Sequence, residues 1–124
     1  MKKLIFVGLI LIVLLPTAQA EKLVAAEAFY QTTVYAKTVT CSVSVKFAYL
    51  MKDKGGNHQN ASAQQAINRD TSEAVLKAIN RTVDLNNSCG EYVEGKIKTI
   101  VATAFSASKD VVRIEETDVQ IKRL

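Results

Sequence analysis

The residues after the first twenty predict an α+β fold of two layers, a small antiparallel or mixed sheet with two helices packed on one face. Three observations carry this. Strict two-residue alternation from Val39 to Met51 marks a strand with one buried and one wetter face. Two blocks between residues 62 and 105 repeat apolar residues at helical spacing. The last fourteen residues, VVRIEETDVQIKRL, return to β-branched residues. With the order β, α, α, β, both helices must cover one side of a small sheet.

The first twenty residues follow a different pattern. Lys2 and Lys3 precede Leu4 to Leu15, twelve apolar positions with one glycine, and Pro16 ends that run. Thr17-Ala18-Gln19-Ala20 then supplies small residues in the A-x-A arrangement of a cleavage site. A bilayer span needs about 20 apolar residues. The segment falls short of that and has the form of a secretory signal, so residues 1–20 are expected to be removed and 21–124 to form a single domain. No later segment approaches membrane-spanning length, and no stable anchor is expected. The MKKL start and the A-Q-A site look bacterial, which makes the periplasm the expected destination.

Removing the signal also changes the charge. Sixteen basic residues less Lys2 and Lys3, against twelve acidic ones, leave +2. The signs interleave and make no basic stripe, so nucleic acid is not an expected partner. Two cysteines remain, Cys41 and Cys89. An even count in an exported chain predicts one disulfide, with two buried free thiols as the alternative. No CxxC is present, which argues against a thiol oxidoreductase.

Along the mature chain, residues 22–37 read as a short helix or irregular lead-in that passes into the strand near Val34. The strand itself puts Cys41, Val43, Val45, Phe47, Tyr49 and Met51 on one face. It ends at KDKGGNHQN, residues 52–60, a polar loop in which Gly55 and Gly56 permit positive φ. Capping-box patterns at Ser62 to Gln65 and Asp70 to Glu73 place helix starts at both. Ile67, Ala74, Val75, Ala78, Ile79 and Val83 form the apolar face there. A further box, Ser88 to Glu91, opens the second block, whose face is Val93, Ile97, Ile100, Val101, Ala104 and Phe105. Gly95 within it suggests close packing on the sheet. Residues 106–110 read as a loop. In the last segment Val112 and Ile114 share one parity and Val119 and Ile121 the other. A bulge near Glu115, Glu116 and Thr117, or a break into two strands, would bring both pairs to the core.

The chemistry-bearing residues are few. With one histidine, His58, the chain excludes multi-histidine metal sites by count. Ser106-Ala107-Ser108-Lys109 matches S-x-x-K, but it follows a helix and its companion motifs are missing. Glu115, Glu116 and Asp118 read as a charged edge and not as a glycosidase pair, because neighbours in a strand point to opposite faces. Three N-x-[ST] triplets, at Asn60, Asn80 and Asn86, carry no meaning in a bacterial chain. No enzyme and no cofactor are expected. An exported single domain without a catalytic set is expected to bind another macromolecule.

In overall length, in the signal MKKLIFVGLILIVLLPTAQA and in its single domain with two cysteines, the whole chain resembles the small periplasmic immunity proteins of type VI secretion. In particular it resembles the cholera-vibrio type that neutralises a spike-linked peptidoglycan hydrolase. No motif accompanies the resemblance, so no residue is carried over from it. It implies a protein that blocks a muramidase-like toxin in the producer's own periplasm, and homodimers are common in such families. Hydrolase clefts carry essential carboxylates, which a cationic projecting loop can occupy. The loop residues Lys52, Lys54 and His58, with Gly55 and Gly56 making the turn, are the candidate contact. From Thr38 onward the chain is also similar in topology to the periplasmic domain of flagellar stator-associated and stomatin-like proteins, with VVRIEETDVQI as the late strand. Those proteins usually keep an N-terminal membrane helix, whereas here that segment reads as cleaved.

Overall fold

The computed structural model describes residues 22–124, so the signal-peptide reading of residues 1–20 lies outside the described residues. The elements in order are β1 (Leu23–Tyr35), β2 (Thr40–Lys52), α1 (Asn57–Asn86), α2 (Glu91–Ser106) and β3 (Val111–Arg123). The sheet runs β1-β2-β3 with both pairings antiparallel, and the two helices lie on one of its faces.

β2 is the strand its alternation predicts. Cys41, Val43, Val45, Phe47, Tyr49 and Met51 are all at most 1% exposed, while the intervening side chains face the open side of the sheet. The stretch before it is not a lead-in. Residues 23–35 form a full strand paired with β2 from Leu23↔Lys52 to Tyr35↔Thr40. Alanine at positions 26 and 28 conceals the period, because it has low strand propensity. Even so Ala26, Ala28, Tyr30 and Val34 are buried in strict alternation.

The 52–60 loop is shorter than its polarity suggests. Helix α1 begins at Asn57 and runs unbroken for 30 residues, so His58 and Asn60 sit in its first turn. Neither internal capping box starts a helix. Thr71 Oγ1 donates to Ile67 O (2.7 Å) and Ser72 Oγ to Arg69 O (2.8 Å). Both hydroxyls bond back along a continuous helix, and the Asp70 carboxylate read as a cap instead accepts from Arg69 Nε at 3.4 Å. Ile67, Thr71, Val75, Ile79 and Val83 form the buried stripe. α2 opens from Gly90, and Ser88 instead accepts the Gly90 N–H within the connecting turn. Val93, Ile97, Val101 and Phe105 are its buried face. Ile100 is 43% exposed. Gly95 faces away from the sheet, and a Cβ placed there meets nothing within 4 Å. The close packing expected of it is absent.

β3 is one strand, and it reaches the core by two irregularities. Its register against β2 shifts between Ala48 and Tyr49 and again between Leu50 and Met51, leaving Glu115 and Val112 as the extra residues. Each bulge exchanges the faces of the residues beyond it. Ile114 thereby joins Val119 and Ile121 on the helix side, and Val111 takes the place expected of Val112, which is 46% exposed.

The core centres on Phe47 and Phe105, which stack at 4.4 Å between centroids, with Tyr49 edge-on to Phe105 at 4.9 Å. Two tyrosine hydroxyls reach polar groups of α1. Tyr49 donates to Asn68 Oδ1 (3.0 Å), and Tyr30 lies 2.7 Å from Thr71 Oγ1 and 2.9 Å from Asn68 O. Burial pushes the Tyr49 phenol up to about 12, with the neighbouring Tyr30 adding to it, and burial raises Tyr30 as well. Cys41 and Cys89 are bonded, joining β2 to the α1–α2 turn across 48 residues.

Candidate binding site at the Lys52–Gly56 turn

β2 ends at Lys52, and the Asp53 N–H still donates to Lys22 O, extending the ladder one step past the strands. The chain must then reverse into α1 within four residues. Asp53 organises that reversal. Its Oδ1 accepts the Gly55 N–H and the Asn60 side-chain amide, both at 3.0 Å, while Asn60 Oδ1 accepts the Lys54 N–H at 2.7 Å. Gly55 takes φ +101°, which a side chain would resist. Gly56 is extended and caps the helix without needing that freedom. The turn is thus locked by a carboxylate and an amide from the first turn of α1. The Gly55 N–H, then Asn60, hold the Asp53 carboxyl below the usual carboxylate range, helped by Lys22.

Three lysines stand around this turn. Lys22, Lys52 and Lys54, with Asp53 and Gly55, line a surface hollow of about 400 Å³. Lys54 Nζ also pairs with Asp110 Oδ1 at 3.4 Å, which ties the turn to the loop before β3. No acidic residue occupies the first turn of α1, so the positive end of the helix dipole adds to the same region. The structure therefore brings together Lys52, Lys54 and Gly55 of the sequence-derived set. His58 is exposed on α1, and neither it nor Gly56 lines the hollow. Lys22 is the residue the sequence reading missed. No clear sequence signal marked a first strand, because its alanines conceal the alternation, and it is the pairing with β2 that returns Lys22 beside Lys52 and Asp53.

At the opposite end of the sheet the disulfide Cys41–Cys89 is formed, as the even cysteine count predicts, and it is consistent with an exported chain. Among the described residues no helix is long and apolar enough to cross a membrane. No cluster of metal-ligating side chains is found among them either. No family model matches the chain, and neither a curated protein nor a solved structure is significantly similar to it.

Proposed function

We propose that this chain is a periplasmic immunity protein that binds and inhibits a cognate cell-wall-degrading effector of the muramidase type, protecting the producing cell. One observation carries the reading, the cationic hollow formed by Lys22, Lys52 and Lys54 on a turn pinned by Asp53 and Asn60. A pinned turn loses little entropy on binding. Its lysines suit a cleft whose catalytic groups are carboxylates, and such a contact requires no chemistry of its own.

The experiment is capture of tagged mature protein on the producing strain's periplasmic extract, with bound proteins identified by mass spectrometry. The recovered protein is then assayed for peptidoglycan hydrolysis. Stoichiometric recovery of a hydrolase whose activity falls on titration with this protein supports the reading. Recovery of envelope or motor proteins alone contradicts it.

The order of elements favours a second reading. A strand followed by two helices and a returning strand is the arrangement on which the similarity to flagellar stator-associated and stomatin-like domains rests. In that case the chain is an exported cell-envelope accessory, and the same capture experiment recovers its envelope partners.

A further inference from the structure

The sheet has two edges, and they differ. β3 carries bulges at Val112 and Glu115, which break the regular spacing of its outward N–H and C=O groups. β1 is regular throughout. Its ladder parity follows from two bonds, Asp53 N–H to Lys22 O and Ala36 N–H to Val39 O. Even-numbered residues of β1 bond to β2, so odd-numbered ones direct their backbone groups to the open edge. At Glu27 that edge is closed, because its carbonyl accepts Gln64 Nε2 (3.0 Å) and Asn68 Nδ2 (3.1 Å) from α1. From Phe29 to Tyr35 no such side-chain cap is found among the described residues.

Beside this uncapped stretch runs a groove of about 510 Å³, with Thr33, Val34 and Tyr35 on one side and Lys77, Asn80, Arg81 and Asp84 of α1 on the other. Among the described residues neither Lys77 nor Arg81 makes an ion pair. On the open face of the sheet, Phe29 is 62% and Tyr35 78% exposed.

We propose that this groove docks an extended segment of a partner protein, which adds a fourth strand beside β1. Its side chains facing α1 are acidic, to meet Lys77 and Arg81. The alternate ones are apolar and pair with Phe29 and Tyr35. The occupant is a lone strand and not a second copy of this chain, for a reason of width. Three strands advance a sheet by about 14 Å, whereas two packed helices take about 16–20 Å. The contacts of Gln64 and Asn68 with Glu27 show α1 reaching the edge, so a neighbouring copy bearing its own helices would collide with it. An isolated strand carries no such layer. The proposal uses a surface remote from the lysine turn and does not rest on the inhibitor reading.

The test uses mature protein and a blocked ten-residue peptide of alternating valine and glutamate with a central tyrosine, followed by amide NMR. The expected result is saturable shifts confined to β1 and the facing side of α1, with slowed hydrogen exchange at Gln31 and Thr33. The same peptide with lysine for glutamate should bind at least about tenfold more weakly. Thr33→Pro removes one outward N–H at an edge position where proline is tolerated, and should abolish binding while the remaining spectrum stays native. K77E/R81E, both on exposed positions, should reverse the preference between the two peptides. Absence of exchange protection on β1, equal binding of both peptides, or shifts centred on the lysine turn would overturn the proposal. So would a concentration-dependent dimer that Thr33→Pro dissolves, because that assigns the edge to a second copy.

Discussion

The side chain of Asn87 exchanges two hydrogen bonds with Thr38 across forty-nine residues. Its Oδ1 accepts the Thr38 N–H at 2.9 Å and its Nδ2 donates to Thr38 Oγ1 at 2.7 Å. Thr38 sits in the 36–39 connection between β1 and β2, where the Ala36 N–H donates to Val39 O around the two residues Lys37 and Thr38. Such turns ordinarily need positive φ, yet no residue between Ala36 and Val39 has it. The turn is held from outside. Asn87 itself takes φ 47°, ends α1, and returns its N–H to Val83 O. One residue therefore closes a helix and braces a hairpin, with Cys41–Cys89 beside it. Asn87→Ala should destabilise the fold by about 2 kcal/mol, losing both bonds and straining the left-handed backbone. Asn87→Gly should cost less, because it keeps the backbone conformation. Urea unfolding of the pair measures the difference.

The disulfide works on the same end. Closing a loop of this length confers at most about 4 kcal/mol in the chain-entropy picture. Reduction of the native protein, or C41A/C89A, should lower the urea midpoint accordingly. Reductant should leave the double variant's midpoint unchanged.

Asn68 ties the core to the edge of β1, since its amide accepts from Tyr49 and donates to Glu27 O. Asn68→Ala should cost about 1–3 kcal/mol by leaving the Tyr49 hydroxyl without its partner. Tyr49→Phe in that background should recover part of the loss, and a double-mutant cycle reads the coupling.

Tyr49 also sets an alkaline limit. Its folded phenol ionises near about 12, against an ordinary value of 10.0 that the unfolded chain retains. The raised value means its contribution is complete below about pH 10 and is lost as pH climbs toward about 12. Native Tyr49 should show a steeper loss of stability over that window than Tyr49→Phe, followed by denaturant melts at stepped pH.

Gly95 gives a clean case in the opposite direction. It lies mid-helix on the exposed side of α2 with open space where a Cβ would stand. Gly95→Ala should stabilise by about 0.5–1 kcal/mol, measured by thermal unfolding.

The two-layer α+β class, β2 and both apolar helix faces were legible because each rests on a local period that burial enforces. What escaped was set by partners distant in sequence. β1 was obscured by its alanines, and only pairing with β2 reveals it. Of the two bulges of β3, the one at Glu115 lies where the opposite parities of Ile114 and Val119 place it, whereas the one at Val112 escaped because Val112 and Ile114 share a parity and pose no conflict. The helix starts read at Ser62 and Asp70 failed because α1 already begins at Asn57 and runs unbroken through both, so no free N–H groups remain there to be capped. Of the candidate site, Lys52, Lys54 and Gly55 were visible as a polar turn. Lys22 was not, since it arrives there by way of β1, and His58 left the loop when α1 began at Asn57.

The inhibitor account is tested most directly by titrating the captured hydrolase, on a peptidoglycan suspension, with mature protein and with a K22E/K52E/K54E variant whose unfolding midpoint is first shown to be near native. The account predicts full inhibition at one equivalent of the native protein and a loss of about a hundredfold or more in the variant, as expected when opposed charges become like charges at a contact. Equal inhibition by both proteins would contradict the role assigned to the lysine turn, and undiminished hydrolysis in the presence of excess native protein would contradict the inhibitor account itself.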